Sequence, residues 1–197
     1  MSLTTGFEVR PLSTSDRARV AEILRSTENF RNEEVDVALE LFDASFADPD
    51  YTFVGVGTSG LGTRDSAPRS ECVDRGDEHP EDVPSPALLG FACYGPSMST
   101  DRTFDLYWIA VDRAAQGTGC GSVLLQEVER RLEVLQARML VIETSSRSDY
   151  TATRGFYLKR GYVEAARVRE FYAPSDDRII LTKRLAGSPR QGWGAVA

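Results

Sequence analysis

The 197-residue chain is 41% hydrophobic and 27% charged, the balance of a soluble globular protein with one packed core rather than a disordered or fibrous chain. Its net charge of -7, without any run of Lys and Arg, argues against a nucleic-acid partner and is compatible with a cationic substrate. Three separated cysteines (Cys72, Cys93, Cys120) and a start lacking the apolar stretch of a signal peptide predict a cytoplasmic protein, with neither a zinc site nor a membrane span.

Residues 7–12 read as a strand broken at Pro11, after which Ser15 or Asp16 caps a helix carrying Val20, Ile23 and Leu24. Asn32 caps a second helix, with Glu33 and Glu34 in its first turn and Val35, Leu39, Leu41, Phe42 and Phe46 as its apolar positions. Residues 51–56, 87–94 and 103–111 read as antiparallel strands. Alternation along the third places Asp105, Tyr107, Ile109 and Val111 on one face and Phe104, Leu106, Trp108 and Ala110 on the other. Residues 57–86, rich in Gly, Pro, Ser and acid and without an apolar period, read as a mobile insertion. His79, the single histidine, falls in it, far from any second residue at metal-ligand spacing.

An amphipathic helix is predicted over 122–137, a buried strand over 139–143, a helix running through Phe156 and Tyr157, and strands near 162–171 and 178–185. The strand–helix–strand order implies a parallel pair within a mixed α/β domain of six or seven strands. The patternless, Gly-rich residues 186–197 read as a disordered tail, leaving one domain over 1–185.

The segment carrying chemistry is Val111-Asp112-Arg113-Ala114-Ala115-Gln116-Gly117-Thr118-Gly119-Cys120-Gly121, between a strand and a helix whose Leu124, Leu125, Val128, Leu132 and Leu135 share a face. Glycines let a backbone approach an anion, and the unpaired amides of a helix start point at it with the positive end of the dipole. A P-loop would need Lys and then Ser or Thr after the last glycine, but Ser122 and Val123 stand there. A dinucleotide fingerprint over Gly117, Gly119 and Ser122, with Glu143 as ribose acid, suffers from the five residues between strand and first glycine.

Gln116-Gly117-Thr118-Gly119-Cys120-Gly121 and the later Phe156-Tyr157-Leu158-Lys159-Arg160-Gly161-Tyr162 resemble the two hallmarks of the GCN5-related N-acetyltransferase (GNAT) superfamily. Within it, the runs Asp105-Leu106-Tyr107-Trp108-Ile109-Ala110-Val111 and Glu143-Thr144-Ser145-Ser146 are similar to those of a bacterial branch. The resemblance implies a largely antiparallel sheet with helices on both faces and a central parallel pair that splays open. It implies acetyl-coenzyme A as acyl donor and no metal. Backbone of Ile109, Ala110 and Val111 would hold the pantetheine arm, and Gln116, Gly117, Thr118, Gly119, Cys120, Gly121 and Ser122 the pyrophosphate. The acceptor would be the amine of a small molecule or exposed peptide, with no nucleic acid or membrane involved; a homodimer is compatible with this.

Direct transfer needs a neutral amine, so a carboxylate or a water chain must take its proton. Asp105, eleven residues before Gln116, matches the position where histone-acetylating members of the superfamily carry a glutamate base; Glu143 stands in reserve. By the same resemblance Tyr157 protonates the departing thiolate, and Glu33, Glu34, Tyr94, Tyr107 and Tyr172 line the acceptor side. Where many members have Asn and Ala, seven and four residues before this tyrosine, the chain has Tyr150 and Thr153, which predicts altered contacts to the arm. Cys120, between two glycines at a helix start, reads as a small packing residue rather than a reactive thiol. The alternative to an enzyme is a non-catalytic acyl-coenzyme A sensor or interaction module.

Overall fold

The computed structural model describes residues 6–58 and 87–185. The strands are β1 (Phe7–Pro11), β2 (Thr52–Thr58), β3 (Leu88–Pro96), β4 (Thr103–Val111), β5 (Met139–Ser145), β6 (Val163–Ala173) and β7 (Asp176–Arg184). The helices are α1 (Arg17–Ser26), α2 (Asn32–Ala44), α3 (Cys120–Val134) and α4 (Thr151–Leu158). They form one seven-stranded sheet in the order β1-β2-β3-β4-β5-β7-β6, antiparallel throughout except between β4 and β5. β2 continues to Thr58; the rest of the expected insertion, with His79, and the expected tail lie outside the described residues.

Helices cover both faces because each strand of the sheet centre offers apolar residues alternately to each side. Leu124, Leu125, Val128 and Leu132 of α3 pack on Val54, Val56, Ala92, Leu106, Leu140 and Ile142, with Tyr157 of α4 in the same cluster. On the other face Val20, Ile23, Leu24, Val35, Leu39 and Phe42 of α1 and α2 pack on Phe53, Phe91, Cys93 and Ala110. Leu135 does not join the α3 stripe. The helix ends one residue earlier in a Schellman turn, in which Ala137 N donates to Leu132 O (2.8 Å) and Gln136 N to Glu133 O (2.9 Å). Leu135 is left 57% exposed.

The simple alternation expected along β4 fails at one residue. Cys93 opposes Trp108 and Tyr94 opposes Leu106, so Tyr107 is the extra residue of a β-bulge. Phe104 and Leu106 before it, and Ile109 and Val111 after it, all face α3, while Trp108 and Ala110 face α1 and α2. The bulge therefore takes Asp105 off the face that Ile109 and Val111 occupy.

The helix entries also differ in detail from expectation. Asp16, one of the two expected caps, is the N-cap of α1, but a 3-10 turn begun at Ser13 precedes it, and the Asp16 carboxylate accepts from Ser13 N (2.8 Å) while bound by both terminal nitrogens of Arg10 (2.7 and 2.8 Å). α1 is thereby tied to β1. At α2 the cap position is Arg31, whose backbone N donates to Glu34 Oε2 at 2.7 Å.

Candidate active site

Parallel pairing between β4 and β5 runs from Thr103 opposite Met139 to Leu106 opposite Ile142 and stops there. Beyond the bulge, β4 stays bonded to β3 as far as Val111, and β5 stays bonded to β7 as far as Ser145. Each strand is held from its outer side, so the two part and leave a gap lined on the β4 side by unpaired backbone of Tyr107 and its successors.

Two cavities meet at this gap, one of about 800 Å³ leading to the start of α3 and one of about 330 Å³ leading towards β7. Phe30, Ile109, Tyr150, Thr153 and Tyr157 belong to both. α4 is held over the gap by Arg154, whose Nη1 donates to Ser145 O (2.7 Å) and Arg147 O (2.8 Å) at the end of β5. Tyr150 Oη donates to Asn29 O (3.0 Å), linking α4 to the connection between α1 and α2.

In the larger cavity, Gly117 and Gly119 adopt φ of +77° and +99° with open space where a side chain would stand. The loop's backbone is thus bare towards the cavity, and the first-turn amides of Cys120 and Gly121 have no carbonyl within the helix to bond. The approach to the loop is rigid: Asp112 accepts from Ala114 N (2.9 Å) and from Arg19 Nη2 (2.6 Å), and Thr118 Oγ1 donates to Ala115 O (2.7 Å). Those two bonds, the backbone one foremost, hold the Asp112 carboxyl below its ordinary range. Arg160 adds positive charge to the walls, lying 3.7 Å over the Phe156 ring and bonding Ser122 Oγ, whereas Arg113 is paired with Glu28 of the same cavity. This combination suits a pyrophosphate with a long arm directed into the gap.

Of the residues expected at the cofactor, Ile109, Ala110, Val111, Gln116, Gly117, Gly119, Gly121 and Ser122 line the larger cavity. Gln116 Nε2 also reaches Val111 O at 3.3 Å. Thr118 and Cys120 do not line it. Cys120 is buried beneath the loop, where a Cβ on Gly90 would stand only 3.2 Å from its sulfur, and burial raises its thiol to about 11, the opposite of an activated cysteine.

Tyr157 is 3% exposed and touches both cavities, its ring edge-on to Phe156 and Tyr162. Burial raises its phenol, which keeps the hydroxyl protonated at neutral pH. Glu143 lines the smaller cavity with one carboxylate oxygen bound by Arg178. Asp105 lines neither cavity: it lies on the part of β4 still paired with β5, opposite Val141, and accepts a hydrogen bond from Ser97 Oγ. Its charge, after burial, helps raise the neighbouring Tyr107 phenol to about 12.

On the acceptor side Glu34, Tyr107 and Tyr172 line the smaller cavity. Glu33 is exposed on α2 outside it, and Tyr94 is 4% exposed in the core beneath α3. Sequence reading missed Phe30, Arg31, Trp108, Ser145, Arg147 and Asp176 in the smaller cavity and, in the larger, Arg160 and the wall formed by Thr27, Glu28, Asn29, Phe30 and Arg113. Arg160 lies inside the recognised aromatic motif and had a local signal; Asp176 follows a turn and had none.

A family model described as an acetyltransferase (GNAT) domain matches residues 81–164. A GNAT-family protein from Desulfovibrio desulfuricans shares 33% identity over 91% of this chain and 99% of its own, with a TM-score of 0.73. The chain belongs to the GNAT acetyltransferase family. At 19% identity, the ribosomal-protein-S18-alanine N-acetyltransferase of Escherichia coli aligns over 95% of this chain and 99% of its own with a TM-score of 0.67. A Salmonella typhimurium protein solved with its cofactor acetyl-CoA aligns over 95% and 99% at 16% identity and a TM-score of 0.65. These two share the fold of the GNAT chain described above. No curated protein matches it in sequence. As a GNAT protein the chain is an enzyme of the acyl-coenzyme A-dependent N-acetyltransferase class. No described helix is long and apolar enough to cross a membrane, and the described residues contain no cluster of His, Cys, Asp and Glu that would hold a metal.

Proposed function

We propose that this enzyme transfers an acetyl group from acetyl-coenzyme A directly to a primary amine of a small molecule or exposed peptide. The observation that carries the reading is Tyr157, standing where an anion-binding helix start and an acid-lined cavity meet. The donor bound by the related Salmonella protein fits the larger cavity: bare amides of the glycine loop and Arg160 for its phosphates, the unpaired edge of β4 for its arm. Bound there, acetyl-coenzyme A supplies a thioester carbonyl. Glu143 takes the proton lost from the amine nitrogen as the N–C bond forms. Tyr157 gives its proton to the sulfur as the C–S bond breaks, and solvent returns a proton from Glu143 to the phenol. Glu143 has this role in preference to Asp105 because it faces the smaller cavity and Asp105 does not. We read residues 1–185 as the catalytic domain, acting in the cytoplasm without metal, membrane or nucleic acid.

The test pairs calorimetry with a thiol-release screen over amines, amino acids and peptides. Coenzyme A is expected to bind and to raise the melting temperature by mass action. Gly119→Val forces a branched side chain into a left-handed conformation at the anion site, so coenzyme A affinity should fall at least about tenfold with the fold retained. Absence of coenzyme A binding would refute the donor assignment. Binding without turnover on any amine would make the chain a sensor.

A further inference from the structure

The smaller cavity carries a feature that the transfer chemistry does not use. Asp176, the first residue of β7, lines its far wall and is 5% exposed, with its carboxylate bonded to Ser145 Oγ. No cation pairs with it among the described residues. Arg178 is paired with Glu143, and Arg147, on the same cavity wall, is paired with Asp149 and lies 5.7 Å from the Tyr150 ring centroid, so that its charge reaches Asp176 without a direct ion pair. Glu34 lies on the same wall and is bound by the Arg31 backbone amide; the exposed Arg31 side chain, also at the cavity, makes no ion pair with it. The rings of Tyr150 and Tyr172 stand close to both acids, whose charges help to raise the two phenols after the larger effect of burial. A second observation points the same way. Thr144, 6% exposed, lines this cavity with a buried Oγ1 that has no hydrogen-bond partner among the described residues.

A buried carboxylate without a directly paired cation is costly even with Arg147 at longer range, and the arrangement becomes more favourable once a cation makes that contact. The Tyr172 ring beside the acids adds attraction for a compact ammonium, and the Tyr150 ring, which already has the Arg147 guanidinium over it, bounds the opposite side. The amine that attacks must be neutral, so it is not the group these acids retain. We infer that Asp176 and Glu34 hold a second, charged ammonium of the acceptor between Tyr150 and Tyr172, which makes the substrate a small diamine. This rests on the acetyl-transfer reading given above. A cavity of about 330 Å³ takes a small molecule rather than an extended peptide.

The experiment compares straight-chain α,ω-diamines with n-alkylamines of equal length, as acceptors and as ligands titrated calorimetrically into the coenzyme A complex. Diamines of one length range should exceed the matched monoamines in kcat/KM by about tenfold or more, the factor that one retained charge–charge contact supplies. In Asp176→Asn that preference should collapse through KM rather than kcat, and calorimetric diamine affinity should fall in parallel. Glu34→Gln, on the helix surface, should give a partial collapse and serves if Asp176→Asn does not fold. Equal use of monoamines and diamines, or equal losses for both in the two variants, would overturn the inference and leave the acetyl-transfer reading standing. If no amine is acetylated, that reading fails, and diamine binding to the complex still decides this one.

Discussion

Tyr157 owes its position to two contacts of opposite kind: its ring is packed on Phe156 and Tyr162, and its edge opens on both cavities. Tyr157→Phe preserves the packing and removes the proton. Turnover should fall by about a hundred- to ten-thousand-fold, the usual contribution of general acid catalysis, with coenzyme A affinity almost unchanged. Single-turnover measurement checks this; a wild-type rate would reduce Tyr157 to a packing residue. The two carboxylates order themselves by position. Glu143→Gln should lower kcat/KM and flatten the rise of the rate with pH more than Asp105→Asn does, since Glu143 faces the smaller cavity and Asp105 is held by Ser97 on paired β4. The opposite ranking, read from pH–rate profiles of the two variants, would restore Asp105 as the base.

The entry to α1 is an element with its own electrostatic signature. The Arg10 fork foremost, and the Ser13 amide, lower the Asp16 carboxyl pKa below its ordinary value. A carboxylate whose folded pKa is depressed contributes stability in full above its unfolded pKa, near ~3.9, and loses it as pH falls towards the folded value. Asp16→Asn should therefore cost about 2 kcal/mol at neutral pH, the scale of charge-assisted hydrogen bonds, and progressively less as pH falls below the unfolded value of ~3.9 and through the folded one. Urea midpoints of wild type and variant, compared across pH, check the sign. A gap that widened in acid would mean that the pair does not hold the helix entry. The glycine loop and α3 form a second such unit: the left-handed Gly119 turns the chain into the helix, and the buried Leu stripe then fixes where the bare amides point.

At the scale of the whole molecule, one sheet serves two apolar layers, so neither layer can open without exposing strands that the other covers. Leu124→Ala on one face should cost about 2–5 kcal/mol and Phe42→Ala on the other about 3–5 kcal/mol, the range for large cavities in a core. Both should shift one and the same unfolding transition, seen by tryptophan fluorescence and circular dichroism alike. Two separated transitions in either variant would mean that the layers unfold independently. The sheet also builds the site: β3 and β7 hold β4 and β5 from outside, and that restraint is what allows the gap between them.

Local patterns carried far. The glycine loop between a strand and an amphipathic helix, and the aromatic pair ahead of Gly161, were legible because their chemistry depends on neighbours a few residues away: left-handed turns, helix-start amides, a 3.6-residue stripe. From them came the family, the order of elements and the part of the larger cavity's lining that the glycine loop and the end of β4 supply. The faces of β4 were not legible. A single extra residue at Tyr107 reverses them, and whether a bulge forms depends on the register chosen with β3, a pairing between distant segments. That register separates Asp105 from the gap, and the topology buries Tyr94 under α3 and brings Asp176, from a hairpin with no signature of its own, to the wall of the smaller cavity. Residues that meet only when strands far apart in sequence pair leave no periodic trace in the chain, and those are the residues that shape the smaller cavity.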